Sequence, residues 1–234
     1  MKNLNPVLLI ISAVLLILNF YIISEAGRLE SRVMRIATSI SFFIIYLYSS
    51  SPREKFFFIA FILLIVADLL RLGFELPVYK KFLFICMILV YVFLNIHISR
   101  YIKNLKANNL QKVILVVAIS INIVMLFMVV EMAEYKLGDI VQSSLFFLYG
   151  VALISLMVFA FAFNHHYSNE VTFFFICAVL SFVFGDISGF IAYFVEVEEF
   201  YYPERLFYLL ALAGLVKFAS LEKTELQRNQ KEWL

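Results

Sequence analysis

Charge is scarce in this chain. Of its 234 residues, 15% are Asp, Glu, Lys or Arg and 64% are hydrophobic. Soluble domains run near half apolar and a quarter charged, so a water-soluble globular fold is excluded. Proline is scarcer still: Pro6, Pro52, Pro77 and Pro203 are the only four, and each stands at the boundary of an apolar block. Helices broken at mid-membrane, common in transporters, therefore find little support. The two cysteines, Cys86 and Cys177, both lie inside apolar blocks. A disulfide framework is not indicated, and buried thiols are ordinarily inert filler. No linker between blocks is long enough for a soluble domain. There is no glycine-rich phosphate loop, zinc-ligand spacing or serine elbow. Nucleic acid is an implausible partner, and neither a cofactor nor a metal site is expected.

What the chain has is apolar length. Eight blocks can be marked: Val7–Ser24, Ile36–Ser50, Phe56–Gly73, Phe82–Ser99, Val113–Ala133, Ile140–Phe163, Val171–Val195 and Leu206–Ser220. At 1.5 Å per residue, about twenty residues cross a hydrocarbon core of about 30 Å. The blocks are continuously apolar, not alternating, which argues against a strand barrel. The expectation is an all-α, polytopic membrane protein: one transmembrane domain over residues 1–234, built as a bundle of eight helices. The first block follows Lys2 and resembles a signal peptide, but it lacks a small-residue cleavage site and more spans follow. It reads as an uncleaved first helix.

With eight spans, both termini lie on one side. Of the 19 Lys and Arg residues, eleven fall on that side and eight on the other. The bias favours cytoplasmic termini in a multi-pass protein of the kind found in a bacterial inner membrane.

Two stretches share a pattern. Segment 51–103 opens SPREKFFFIAFILLIVADLLRLGF, and segment 168–220 opens SNEVTFFFICAVLSFVFGDISGF. Spans 3–4 thus correspond to spans 7–8, and by extension residues 1–110 to residues 111–234. Four spans per half make such a repeat parallel. Phenylalanine-rich composition is the competing explanation, and a true repeat is the favoured one. Under the repeat reading, Asp68 and Asp186 occupy matching positions. An acid at mid-span is costly, about 2.5–3.5 kcal/mol on insertion scales.

Asp68 has Arg71 three residues on, nearly on the same helix face. A local ion pair is one reading; a polar cavity in which Arg71 receives an anionic group such as a lipid phosphate is the other. Asp186 has no basic residue within a turn, and Ser181, Gly185 and Gly189 form a stripe of small residues beside it. Such stripes let a second helix approach closely. That places Asp186 at a helix–helix seam, as structural glue or as a neutral acid able to donate a proton. Asn122 and Glu131 point to opposite faces of span 5 and form no common site. His97, His165 and His166 match no metal-ligand pattern. In FYYPERLFY, Tyr201, Tyr202 and Tyr208 surround Arg205. This is a common interfacial anchor or a set of headgroup contacts.

VADLLRLG around Asp68, FGDISGFIAYF around Asp186 and FYLLALAGL in span 8 resemble the YhhN family of eight-span membrane proteins, whose characterised members include lysoplasmalogenases. The chain departs from the family in three places. RVMRIATS, with Arg35 and Ile36, stands where a Lys-Pro pair is usual. Ala67 precedes Asp68 where glycine is frequent, and ALAGLVK lacks the common glutamine. The resemblance implies hydrolysis of the vinyl ether bond of a lysophospholipid. Asp186 would be the proton donor and Asp68, beside Arg71, the ionised base or stabiliser. Arg35, Arg71, Tyr202, Arg205 and Tyr208 would be the substrate contacts. Two other classes compete: a proton-coupled transporter using the matched acids, and a non-catalytic sensor or assembly protein in which the acids hold helices together.

Overall fold

The computed structural model describes residues 4–49, 55–102 and 109–232. The opening residues of segment 51–103 lie outside them. Among the described residues there are eight α-helices and no strand: α1 (Leu4–Glu25), α2 (Arg28–Ser49), α3 (Lys55–Leu70), α4 (Pro77–Ile102), α5 (Asn109–Leu137), α6 (Ile140–Tyr167), α7 (Glu170–Phe190) and α8 (Tyr201–Glu232). Each apolar block became one helix. A 3-10 turn, Arg71–Gly73, extends α3, and a π turn, Ile191–Val195, extends α7. Six helical segments are long and apolar enough to cross a membrane; α2 and α8 are the two that are not.

The helices form two compact units. The first contains residues 1–55 and 167–234, hence α1, α2, α7 and α8; the second contains residues 56–166, hence α3 to α6. One helix pair of each proposed repeat copy therefore falls in each unit.

In the first unit α8 is the central element. Tyr208, Leu209, Ala211, Leu212, Leu215, Val216 and Phe218 are all buried. Small residues bring α7 against it. A methyl group at Gly185 would sit 3.5 Å from the Phe207 Cβ, and one at Gly214 only 2.9 Å from the Ala178 Cβ. The stripe expected to receive a helix thus receives α8. Helix α7 begins with a capping box, in which Asn169 accepts from the Thr172 backbone N–H at 2.9 Å and Thr172 accepts from that of Asn169 at 3.2 Å.

The buried face of helix α2 is mostly polar in its first half, with Ser31, Arg32, Arg35, Thr38 and Ser39 beside Ile36, and aromatic in its second, with Phe42 and Tyr46, while Leu29, Val33, Ile40, Ile44 and Leu47 point outward. Thr38 accepts at 3.0 Å from the amide of Asn19, a buried residue of α1.

In the second unit α4 supplies the buried face Leu83, Phe84, Met87, Val90, Tyr91, Leu94 and His97. Helix α3 offers Phe57, Ala60, Phe61, Leu64, Ala67 and Asp68 at helical spacing. Aromatic rings fill the space: Tyr91 stacks on Tyr149 with centroids 5.7 Å apart, and Phe57 lies 5.6 Å from the His97 ring. At one end, Lys80 donates to the Lys136 carbonyl at 2.9 Å and Lys81 pairs with Asp139 at 2.6 Å. Both cysteines are free and partly buried.

Candidate functional site

The chemistry of the first unit gathers where α1 passes into α2 and α7 into α8. The π turn Ile191–Val195 is followed by Glu196 in the left-handed region, with φ of 65°. Single π turns are frequent at functional sites, and a non-glycine residue at positive φ needs surrounding structure to hold it. Together they end α7 and swing the chain into α8, which presents Glu204, Arg205 and Tyr208 to the buried face of α2.

Glu204 is the hub. It is 3% exposed and pairs with both Arg35 and Arg205. Arg205, at 1% exposure, also donates to the backbone oxygen of Ser31 at 3.2 Å and to its Oγ at 3.1 Å. The Arg35 guanidinium lies 3.7 Å from the centroid of Tyr208. A buried charge persists only when paired and hydrogen-bonded; here one carboxylate, a hydroxyl, a carbonyl and an aromatic face serve two guanidiniums. Arg205 is therefore packed inside the unit, not exposed as an interfacial anchor.

Beside this cluster lies an open cavity of about 500 Å³, lined among others by Arg28, Ser31, Arg32, Tyr193, Tyr201 and Tyr202. Arg32 is buried, with its guanidinium 5.9 Å from the Tyr193 ring. Tyr193 meets Tyr201 edge-on at 5.0 Å, and Tyr202 meets Phe20 of α1 edge-on at 5.3 Å. Burial, helped by Tyr193, pushes the Tyr201 hydroxyl up to about 12, against the opposing pull of Arg28, Arg32 and Arg205. At the mouth, Arg28 donates to Glu198 at 2.8 Å, with both side chains exposed. That hydrogen bond holds the Arg28 guanidinium above its ordinary value.

Asp186 is partly buried on α7, between Gly185 and Gly189. Both glycines abut Glu204: a methyl group at Gly185 would lie 3.9 Å from its carbonyl oxygen, and one at Gly189 3.4 Å from its Cγ. Asp186 is seven residues before Tyr193, about 10 Å along the helix.

Asp68 belongs to the second unit. It is 2% exposed and continues the buried face of α3, with its Oδ1 3.7 Å from the Arg71 Nε. The local ion pair is therefore present, and it points inward. His97 is buried in α4, while His165 and His166 are exposed at the end of α6. Among the described residues no group of three or more His, Cys, Asp and Glu side chains converges on a common point.

Of the residues expected at a site, Arg35, Tyr202, Arg205, Tyr208 and Asp186 all fall in the first unit, and Arg35, Arg205 and Tyr208 share the Glu204 cluster. Asp68 and Arg71 pair in the second. Sequence reasoning passed over Glu204, Arg32 and Tyr193. The signal for the first was an acid adjacent to Arg205 in an otherwise aromatic run. The signal for the second was helical spacing from Arg28 through Arg32 to Arg35. Comparison with family models, curated proteins and solved structures finds no match to this chain.

Proposed function

We propose that the protein is an integral membrane hydrolase that cleaves the vinyl ether bond of a lysophospholipid, with Asp186 as its proton donor and Asp68 as a second candidate carboxylate. The observation that carries this reading is the buried Arg35–Glu204–Arg205 cluster beside the polar cavity, on the helices that flank Asp186. Ionisable groups within a membrane bundle face its interior and mark substrate paths. The outward apolar residues of α2, among them Leu29, Val33, Ile40, Ile44 and Leu47, support membrane crossing by α2 as well, and eight spans are proposed. The Lys and Arg bias favours cytoplasmic termini, as in a bacterial inner membrane.

The chemistry suits a carboxyl group that is neutral before the step and ionised after it. A carboxylic acid at Asp186 delivers a proton to the vinyl carbon β to the ether oxygen. Water adds to the resulting oxocarbenium ion and yields its proton to the Asp186 carboxylate, which restores the acid. Collapse of the hemiacetal releases a fatty aldehyde and the glycerophospho headgroup. Arg35, Arg205, Tyr202 and Tyr208 organise the headgroup end.

The test is aldehyde release from a lysoplasmalogen by purified protein in detergent, beside Asp186→Asn and Asp68→Asn. Aldehyde from the wild type and none from either folded variant is the expected result. No aldehyde from folded wild type, or full activity in Asp186→Asn, refutes the proposal.

A further inference from the structure

We propose that the outward face of α5 is the contact surface of a homodimer, on which the same face of a second copy of this chain packs in parallel. The inference concerns assembly and stands apart from the hydrolase reading. Helix α5 carries two heptad-spaced stripes. One is Ile119, Ile123, Leu126, Val130, Ala133 and Leu137, half-buried in its first four members and fully buried in its last two. It packs on α6 within the second unit, where a methyl group at Gly150 would meet the Leu126 Cδ1. The other is Ala118, Ile121, Met125, Met128, Met132 and Tyr135, on the opposite side, and every member is exposed. Intervals of three and four alternate along it without a break, which is the a and d spacing of a two-stranded coiled coil. From its first member to its last it extends about 26 Å, most of the depth of a hydrocarbon core.

Lipid alone accepts an apolar face, but three features of this one exceed what lipid needs. Three of the seven methionines of the chain, Met125, Met128 and Met132, lie on it, each more than half exposed. Methionine is unbranched, adapts to whatever packs against it and is over-used at binding surfaces. Glu131 flanks the stripe and is exposed inside the candidate span Leu115–Leu137. Ionisable residues within spans face protein or a polar cavity; Glu131 faces away from its own unit, and among the described residues no basic side chain of its own chain pairs with it. The third feature selects the partner. Two copies inserted the same way are related by a two-fold axis along the membrane normal, so α5 meets α5 in parallel. In a parallel pair each g residue faces the e residue five positions on in the other helix. With Met125 and Met132 at a and Met128 at d, Glu131 is a g residue and Lys136 the following e residue. Glu131 of each copy thus meets Lys136 of the other, twice by symmetry, and an antiparallel arrangement loses both pairs. Lys136 keeps its contacts within its own chain, one of them over the Tyr135 ring at 5.5 Å. Its ammonium carries three donors, so Glu131 shares it and displaces nothing. The other charges at this end leave the pair undisturbed: Lys81 holds Asp139 at 2.6 Å, Lys80 donates to the Lys136 carbonyl at 2.9 Å, and Glu134 stands at a c position away from the seam.

Sedimentation equilibrium of the full chain in density-matched non-ionic detergent measures the association, beside Glu131→Lys, Lys136→Glu and the two combined. The expected result is a dimer whose dissociation constant rises about tenfold or more in each single variant and returns towards the wild-type value in the double variant, where the pair is restored with its signs exchanged. A second measurement is made in lipid vesicles, in a chain whose Cys86 and Cys177 are replaced by serine. Met128→Cys, on the seam, should form an intermolecular disulfide under copper phenanthroline, and Leu126→Cys, facing α6, should not. No crosslink at Met128→Cys, or a dimer whose affinity is indifferent to Glu131→Lys, overturns the proposal and leaves the face to lipid or to a different protein. Should detergent separate the copies, or a charge variant fail to fold, the Met128→Cys crosslink decides alone.

Discussion

Glu204→Gln is the most informative single perturbation of the first unit. The substitution keeps shape, removes one negative charge and turns one of the two acceptor oxygens into a donor that faces a guanidinium. In the native structure that charge is shared by Arg35 and Arg205, and all three side chains are less than 5% exposed. Opposite charges about 4 Å apart at an effective dielectric of about 20 attract by roughly 4 kcal/mol. Breaking a buried pair by removing one partner costs about 3–5 kcal/mol, because the remaining charge is stranded. Here two guanidiniums are stranded, although Arg205 keeps its bonds to Ser31. The expected loss is therefore near the top of that range, a large part of a stability of about 5–15 kcal/mol. The mouth pair provides the control. Arg28 and Glu198 are 63% and 69% exposed, and exposed pairs contribute about 0–1 kcal/mol. Thermal unfolding in detergent should rank Glu204→Gln far below wild type and Glu198→Gln beside it. Equal melting of all three would refute the assignment of Glu204 as a buried hub. Arg35→Gln added to Glu204→Gln should cost less than it does alone, since interacting residues are not additive.

Three further outcomes follow from the geometry. Gly214→Ala should destabilise by about 1–3 kcal/mol through overpacking, since its Cβ would meet that of Ala178 at 2.9 Å. Gly185→Ala, at 3.5 Å from the Phe207 Cβ, should be neutral or stabilising by up to about 1 kcal/mol from helix propensity, and one melting series compares the two. Tyr201 should ionise only at about pH 12, so alkaline difference absorbance of Tyr201→Phe should lose amplitude there and not near pH 10. Because its native value is raised, the stability it contributes is present below pH about 10 and fades as pH climbs towards 12. Lys81 and its hydrogen bond hold Asp139 below the ordinary carboxylate value. The stability contributed by Asp139 is thus present above pH about 4 and lost as pH falls through the lowered value. Asp139→Asn should flatten that acid limb in an unfolding titration.

Much of this was legible because apolar length is a one-dimensional signal. The eight blocks anticipate all eight helices, and the stripe of Ser181, Gly185 and Gly189 anticipates the close partner that α8 provides. The start of α2 departs from its block for a physical reason. Hydropathy begins it at Ile36, whereas the helix begins at Arg28. Three arginines read as loop residues because a linear scale values a charge as if it faced water. Arg32 and Arg35 instead turn inward, Arg35 onto Glu204, some 170 residues further along the chain. No local pattern reports so distant a partner. The ion pair of Asp68 with Arg71 was readable for the opposite reason, since both partners lie within one helical turn.

The π turn at Ile191–Val195 has a consequence for how this chain can change. An α-helix is a rigid screw: whatever alters the direction of one residue alters every later one by the same rotation. Inserting one residue as a π turn breaks that linkage. Below the turn, Gly185 and Gly189 keep their register against α8; within it, Tyr193 turns towards Arg32 on a register of its own. The seam and the Tyr193 ring are thus two independently adjustable parts of one helical segment. A deletion of one residue within 191–195 would re-aim the aromatic wall by about 100° and leave the helix packing beneath it as it was.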